Sequence, residues 1–196
     1  IGGLVVPTAP EVALDIARAR HNGLGLATVN AVLRADRRVT ADLLTALNSE
    51  RASNRGRRHA QWVIARGTPA PESPLESISL AVIEWLGFPE PELQKWILGP
   101  SGEDDDRVDF WWDAVAVAGE ADGLTKYGAD AHGVRGSLRA RSTRDARLLG
   151  RGVSATAHWG WYETVTASPL RAALLAAGVR PDRPEDTLQL RSLRRA

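Results

Sequence analysis

RVDFWWDAVAVAGEADGLTKY, residues 107–127, decides how this chain is read. It contains two short apolar runs, 107–112 and 114–121, each of a length suited to a strand. Asp109 lies on the first run, and Glu120 and Asp122 close the second. Strand side chains alternate between faces, so Glu120 and Asp122 point the same way. If the two runs pair, Asp109 joins them, and Lys126 follows four residues after Asp122. Three carboxylates held together repel unless a proton or a cation neutralises them. A divalent metal is the candidate that this spacing raises.

Outward from that stretch, the chain divides in two. Residues 9–20, 27–35, 41–49 and 54–66 carry helical spacing. Thr8 and Thr40 stand at cap positions, and Gly67 and Pro69 follow the fourth segment. Residues 1–67 thus read as a small all-α segment and the Pro-rich 68–74 as a linker. Beyond it come a helix over 75–86, strands over 93–98, 107–112 and 114–121, a helix over 137–149, a strand over 153–159 and a helix over 169–177. The α-β-β-β-α-β order places a mixed α/β domain at 75–180. Residues 181–196 read as an irregular tail, with Arg191, Arg194 and Arg195 in solvent.

Composition bounds the function. The 196 residues are 43% hydrophobic and 25% charged, as in ordinary globular proteins. No apolar run reaches membrane-spanning length, and the N-terminal residues do not have the pattern of a secretory signal. With no cysteine, disulfides and thiolate zinc sites are excluded, and the expected compartment is the cytoplasm. The lack of any methionine predicts that the true start lies upstream. Net charge is +1, and lysine occurs only at Lys95 and Lys126.

Several pieces together resemble the PD-(D/E)XK, or restriction-endonuclease-like, fold. They are ESPLES (72–77), GFPEPELQ (87–94), RVDFWW (107–112), GEADGLTKY (119–127) and RDARLLGRGV (144–153). The likeness is closest to the very-short-patch-repair-related domain found behind AbiEi-type antitoxin or transcriptional-regulator segments in actinobacteria. LVVPTAPEVALDIARAR (4–20) and TADLL (40–44) are similar to the region that precedes that domain.

The resemblance implies Asp109 and Glu120 as ligands of Mg²⁺ or Mn²⁺, with Glu76 as a further or outer carboxylate. Such an ion would lower the pKa of a bound water and stabilise charge on a scissile DNA phosphate. The family's lysine normally stands two residues after the acid, where this chain has Asp122, so Lys126 would have to reach back. Two functions follow. One is a metal-dependent DNA endonuclease linked to phage defence or toxin–antitoxin systems. The other is a non-catalytic antitoxin or transcriptional regulator that binds DNA, or a protein such as a cognate toxin.

Arg144, Arg147 and Arg151 recur at i, i+3, i+7, on one helix face. Beside a metal site that face could hold a phosphate backbone, or it could simply be solvated. The Arg55, Arg57, Arg58, His59 cluster and the acidic run Glu103–Asp106 read as solvated surface, and His158 as an ordinary histidine.

Overall fold

The structure, a computed structural model, describes residues 6–100, 105–122 and 131–195. Lys126 lies outside them. The chain forms two units, residues 1–81 with 191–196, and residues 82–190. The expected linker 68–74 belongs to the first of these.

The first unit is helical: α1 (Ala9–Ala19), α2 (Asn22–Ala35), α3 (Ala41–Glu50), α4 (Arg57–Arg66) and the first two turns of α5 (Pro74–Trp85). Local chemistry sets the starts. Glu11 Oε2 accepts the Thr8 N–H at 2.7 Å, satisfying a donor that a helix N-terminus leaves open. Thr40 Oγ1 does the same for Leu43 at 3.2 Å. Leu14, Leu26, Val29, Leu44 and Val63 fill the core between these helices and exclude water from it. The buried Asn30 bridges elements: its Nδ2 donates to Ser77 Oγ at 3.1 Å and its Oδ1 accepts from Thr68 N at 2.9 Å. Both ends of its amide are thereby satisfied.

The second unit is the expected mixed α/β domain. Its sheet runs β1 (Glu92–Ile97), β2 (Asp106–Trp112), β3 (Val117–Ala121), β4 (Ala155–Trp159), in that spatial order. The first three strands are antiparallel, and β4 lies parallel to β3. A parallel partner needs a crossover, which α6 (Ala131–Leu149) supplies. Phe110, Trp112 and Trp159 pack on one face, with Phe110 5.2 Å from Trp159 between ring centroids. Gly119 makes this possible, since a Cβ there would lie 2.5 Å from Trp159 Cη2. On the other face Val108, Trp111 and Ala118 meet Leu148 of α6 and Val153.

Several boundaries differ from the sequence reading. The run 114–121 is not one strand. Asp113–Val115 form a 3-10 turn and Ala116 sits at φ 51°, so β3 begins only at Val117. A short helix α7 (Trp161–Thr166) precedes α8 (Ser168–Ala177), its Gly160 N–H capped by Glu163 Oε2 at 2.9 Å. The tail is not irregular. Asp182 N donates to Gly87 O at 2.9 Å and Asp186 N to Trp85 O at 2.8 Å, after which α9 (Thr187–Leu193) forms and buries Leu193. Arg191, Arg194 and Arg195 are exposed, as expected. Among the described residues, no helix is long and apolar enough to cross a membrane.

Candidate functional site

Glu120 and Asp122 meet arginines of α6, and Asp109 lies on the neighbouring strand β2. In β2, strand alternation slips at Asp109. Val108 and Trp111 both pack on the α6 side, although an undistorted strand would send them to opposite faces. The slip coincides with a distortion of β1, where Gln94 takes φ 55° between the pairs Leu93↔Phe110 and Lys95↔Val108. The β2–β3 pairs run from Trp112↔Val117 to Phe110↔Gly119. That ladder ends at Phe110 and Gly119, one residue short of Asp109 and Glu120. There Asp109 Oδ2 accepts the Ala121 N–H at 2.9 Å, a side chain taking a main-chain donor at the strand end.

Glu120 is buried and faces α6. The Arg144 guanidinium clasps it, with Nη2 2.9 Å from Oε1 and Nη1 3.1 Å from Oε2. The same Arg144 donates to the Arg107 carbonyl at 2.6 Å and approaches Asp106 Oδ1 at 3.4 Å. Arg147 takes Asp106 in a fork, Nε to Oδ2 at 2.7 Å and Nη2 to Oδ1 at 2.6 Å. Arg151 Nη1 adds a contact to Asp106 Oδ2 at 2.9 Å. The predicted basic face of α6 is thus turned onto the sheet's carboxylates, each arginine one turn from the next. The hydrogen bond from Arg147, then the charges of Arg147, Arg144 and Arg151, hold the Asp106 carboxyl below the usual carboxylate range, against burial.

A second knot lies beside the first. Asp122 Oδ2 is 2.9 Å from His158 Nδ1 and 3.6 Å from Arg141 Nη1. His158 Nε2 is 3.0 Å from Asp145 Oδ1, so the ring joins the end of β3 to α6 from its place on β4. Burial pushes the Asp145 carboxyl above its ordinary value, outweighing the opposing pull of Arg141, Thr156 and Arg144.

Of the residues expected at the site, then, Glu120 is held by Arg144, Asp109 accepts the Ala121 N–H, and Asp122 meets His158 and Arg141. Arg147 and Arg151 close on Asp106. Glu76 belongs to the first unit, where its Oε2 accepts the Glu72 N–H at 2.8 Å. Asp106 is a correction: it is not a solvated turn acid but 5% exposed and the hub of three guanidiniums. Its two-residue spacing from Val108, an apolar residue bound for the core face, was the available signal. Asp145 and His158 were also missed, because the parallel β3–β4 pairing that brings them to Asp122 is invisible at sequence level.

The donors present do not fit a divalent ion as placed. Glu120 already holds a cation, and Asp109 already accepts a backbone N–H. Among the described residues, no group of three His, Cys, Asp or Glu side chains is arranged to hold a metal.

Two uncharacterized proteins of Mycobacterium tuberculosis, from different strains, are each 32% identical to this chain over 133 residues, covering 67% of it. The chain spans about half the length of these curated relatives, 48% of each. No family model matches the chain, and no solved structure matches it.

Proposed function

We propose that this protein is a non-catalytic DNA-binding regulator similar to the AbiEi-type antitoxin and transcriptional-regulator group. Its restriction-endonuclease-like sheet serves as scaffold and not as a phosphodiesterase. One observation carries this reading: Arg144 pairs with the buried Glu120, donating from Nη1 to Oε2 at 3.1 Å with Nη2 2.9 Å from Oε1. A guanidinium in that position supplies the neutralising charge that a nuclease would take from its metal, but not the Lewis acidity that lowers the pKa of a bound water. The α-β-β-β-α-β order and the acids on β2 and β3 support descent from the nuclease fold. The ion-paired state of those acids supports loss of the reaction.

The endonuclease reading keeps one observation in its favour: Asp109 of β2 reaches the end of β3, where its Oδ2 accepts the N–H of Ala121, the residue after Glu120, at 2.9 Å. Plasmid nicking separates the two. Incubated with Mg²⁺ or Mn²⁺, purified protein leaves supercoiled DNA intact, while a labelled duplex shifts on a native gel in a salt-sensitive way. Metal-dependent nicking that disappears in Asp109→Asn would instead establish the enzyme. A cognate toxin is a further partner this reading admits.

A further inference from the structure

We propose that the phosphate backbone of duplex DNA is held by the first unit, on a basic surface where α1 ends, α4 begins and residues 191–195 return. This rests on the DNA-binding reading above and replaces the arginines of α6 as its contact surface.

The near-neutral chain hides a division of charge. Residues 1–81 with 191–196 carry 13 arginines and 7 carboxylates, a net +6, whereas residues 82–190 carry 12 cations and 17 carboxylates, a net −5. A polyanion meets attraction at the first unit and repulsion at the second.

Three sequence-distant segments bring the excess together. Gly56, at φ +71°, presses against the end of α1: a Cβ there would lie 2.1 Å from the Arg18 carbonyl oxygen. Arg18 ties the same corner from the other side, donating to Ser53 O and, at 2.6 Å, to Asn48 Oδ1. His21, one residue beyond Arg20, sits 2.8 Å from Ser192 Oγ. These contacts gather Arg20, Arg55, Arg58, Arg191 and Arg195 around one corner. All five are exposed. Among the described residues, none of the five is ion-paired, whereas Asp15, one turn before the end of α1, is bound by Arg51 at 3.0 Å. Glu50, at the end of α3, is an exposed acid. The arginines of α6 are not comparable, because Arg144, Arg147 and Arg151 are spent on Asp106 and Glu120.

The test is fluorescence anisotropy of a labelled duplex titrated with the full chain across a salt series. Each phosphate neutralised contributes about 0.9 to the slope of log affinity against log salt. Arg55→Ala with Arg58→Ala, and separately Arg191→Ala with Arg195→Ala, are expected to lower that slope by about 2 and weaken binding about tenfold or more. Arg139→Ala, an exposed arginine of the second unit, leaves both unchanged. Circular dichroism checks that each variant folds. Wild-type binding that both double variants reproduce overturns this placement and leaves the regulator standing. A wild-type chain that binds no duplex overturns the DNA-binding reading itself, and this placement with it.

Discussion

Arg144 reaches Glu120 across the gap between α6 and β3 at 2.9 Å, and with the same guanidinium it donates to the Arg107 carbonyl of β2 at 2.6 Å. One side chain therefore fixes the crossover helix to two strands. Desolvating two charges is costly, so such a pair adds little net stability, but removing one partner leaves the other buried and uncompensated.

Arg144→Ala is accordingly expected to cost on the order of 3 kcal/mol, read as a shift of the urea midpoint. The variant also tests whether the guanidinium stands in for an ion. With Arg144 gone, Glu120 loses the guanidinium that pairs with it while Asp109 remains at the end of β3, and millimolar Mn²⁺ should raise the melting temperature of the variant but not of the wild type. Equal shifts in both, or none in the variant, would mean that these acids were never a vestigial metal pair.

Asp106 sets an acid limb on stability. Its carboxyl titrates below the ordinary range because Arg147 hydrogen-bonds it, with Arg144 and Arg151 adding their charges. A depressed native pKa means that the unfolded chain binds the proton first. The stabilisation is present at neutral pH and drains away as pH falls from the ordinary carboxylate range through the native value. Asp106→Asn should lower stability at pH 7 by on the order of 3 kcal/mol, the side chain being nearly enclosed. It should also flatten the decline between pH 5 and the acid transition. Urea midpoints measured down the pH scale check both statements.

How much of this was legible beforehand follows the range of each interaction. The helices at 9–19, 41–50 and 168–177 announced themselves through Thr8, Thr40 and Gly178, residues that act within one turn of where they stand. The order of strands and helices along the chain was legible too, because the apolar runs and the long helix between the last two strands stand out, but the pairing of β3 with β4 was not. The acids' partners were not. Arg147 meets Asp106 across 41 positions and His158 meets Asp122 across 36, and no local pattern encodes either distance. The α6 arginines are correctly placed on one face by their spacing. That face turns inward onto Asp106 and Glu120, two buried carboxylates of the sheet, and burying them unpaired would cost several kcal/mol each. The α7 and α9 helices went unread because six and seven residues carry too little periodicity.

Asp145 should behave in the opposite sense to Asp106. Burial raises its carboxyl's pKa, so the native state takes the proton first. Its contribution is favourable below the ordinary carboxylate range and is lost as pH rises through the native value. At pH 8 the ionised group is therefore a cost. Asp145→Asn removes that charge while leaving an amide oxygen able to accept from His158 Nε2, now 3.0 Å away. The variant should be more stable than wild type at pH 8, by about 2–4 °C in melting temperature, and lose its advantage near pH 4. A variant less stable at pH 8 would show that the Asp145–His158 contact is an ion pair whose attraction exceeds the desolvation cost.

Gly119 tests the packing that holds the sheet's other face. A methyl at this position would sit 2.5 Å from Trp159 Cη2 and 3.0 Å from both Trp112 Cζ3 and Trp159 Cζ3. Both rings are confined: Trp112 donates from Nε1 to Pro89 O at 2.8 Å, and Trp159 packs against Phe110. Neither can swing away without breaking a contact elsewhere, so the added methyl is expected to cost about 1–3 kcal/mol. Gly119→Ala should lower the melting temperature and shift the tryptophan emission as Trp112 and Trp159 are displaced. The DNA shift should survive, because the basic corner of the first unit involves neither ring. Unchanged stability would mean that the two indoles are loosely held and that β3 approaches them by accident of composition.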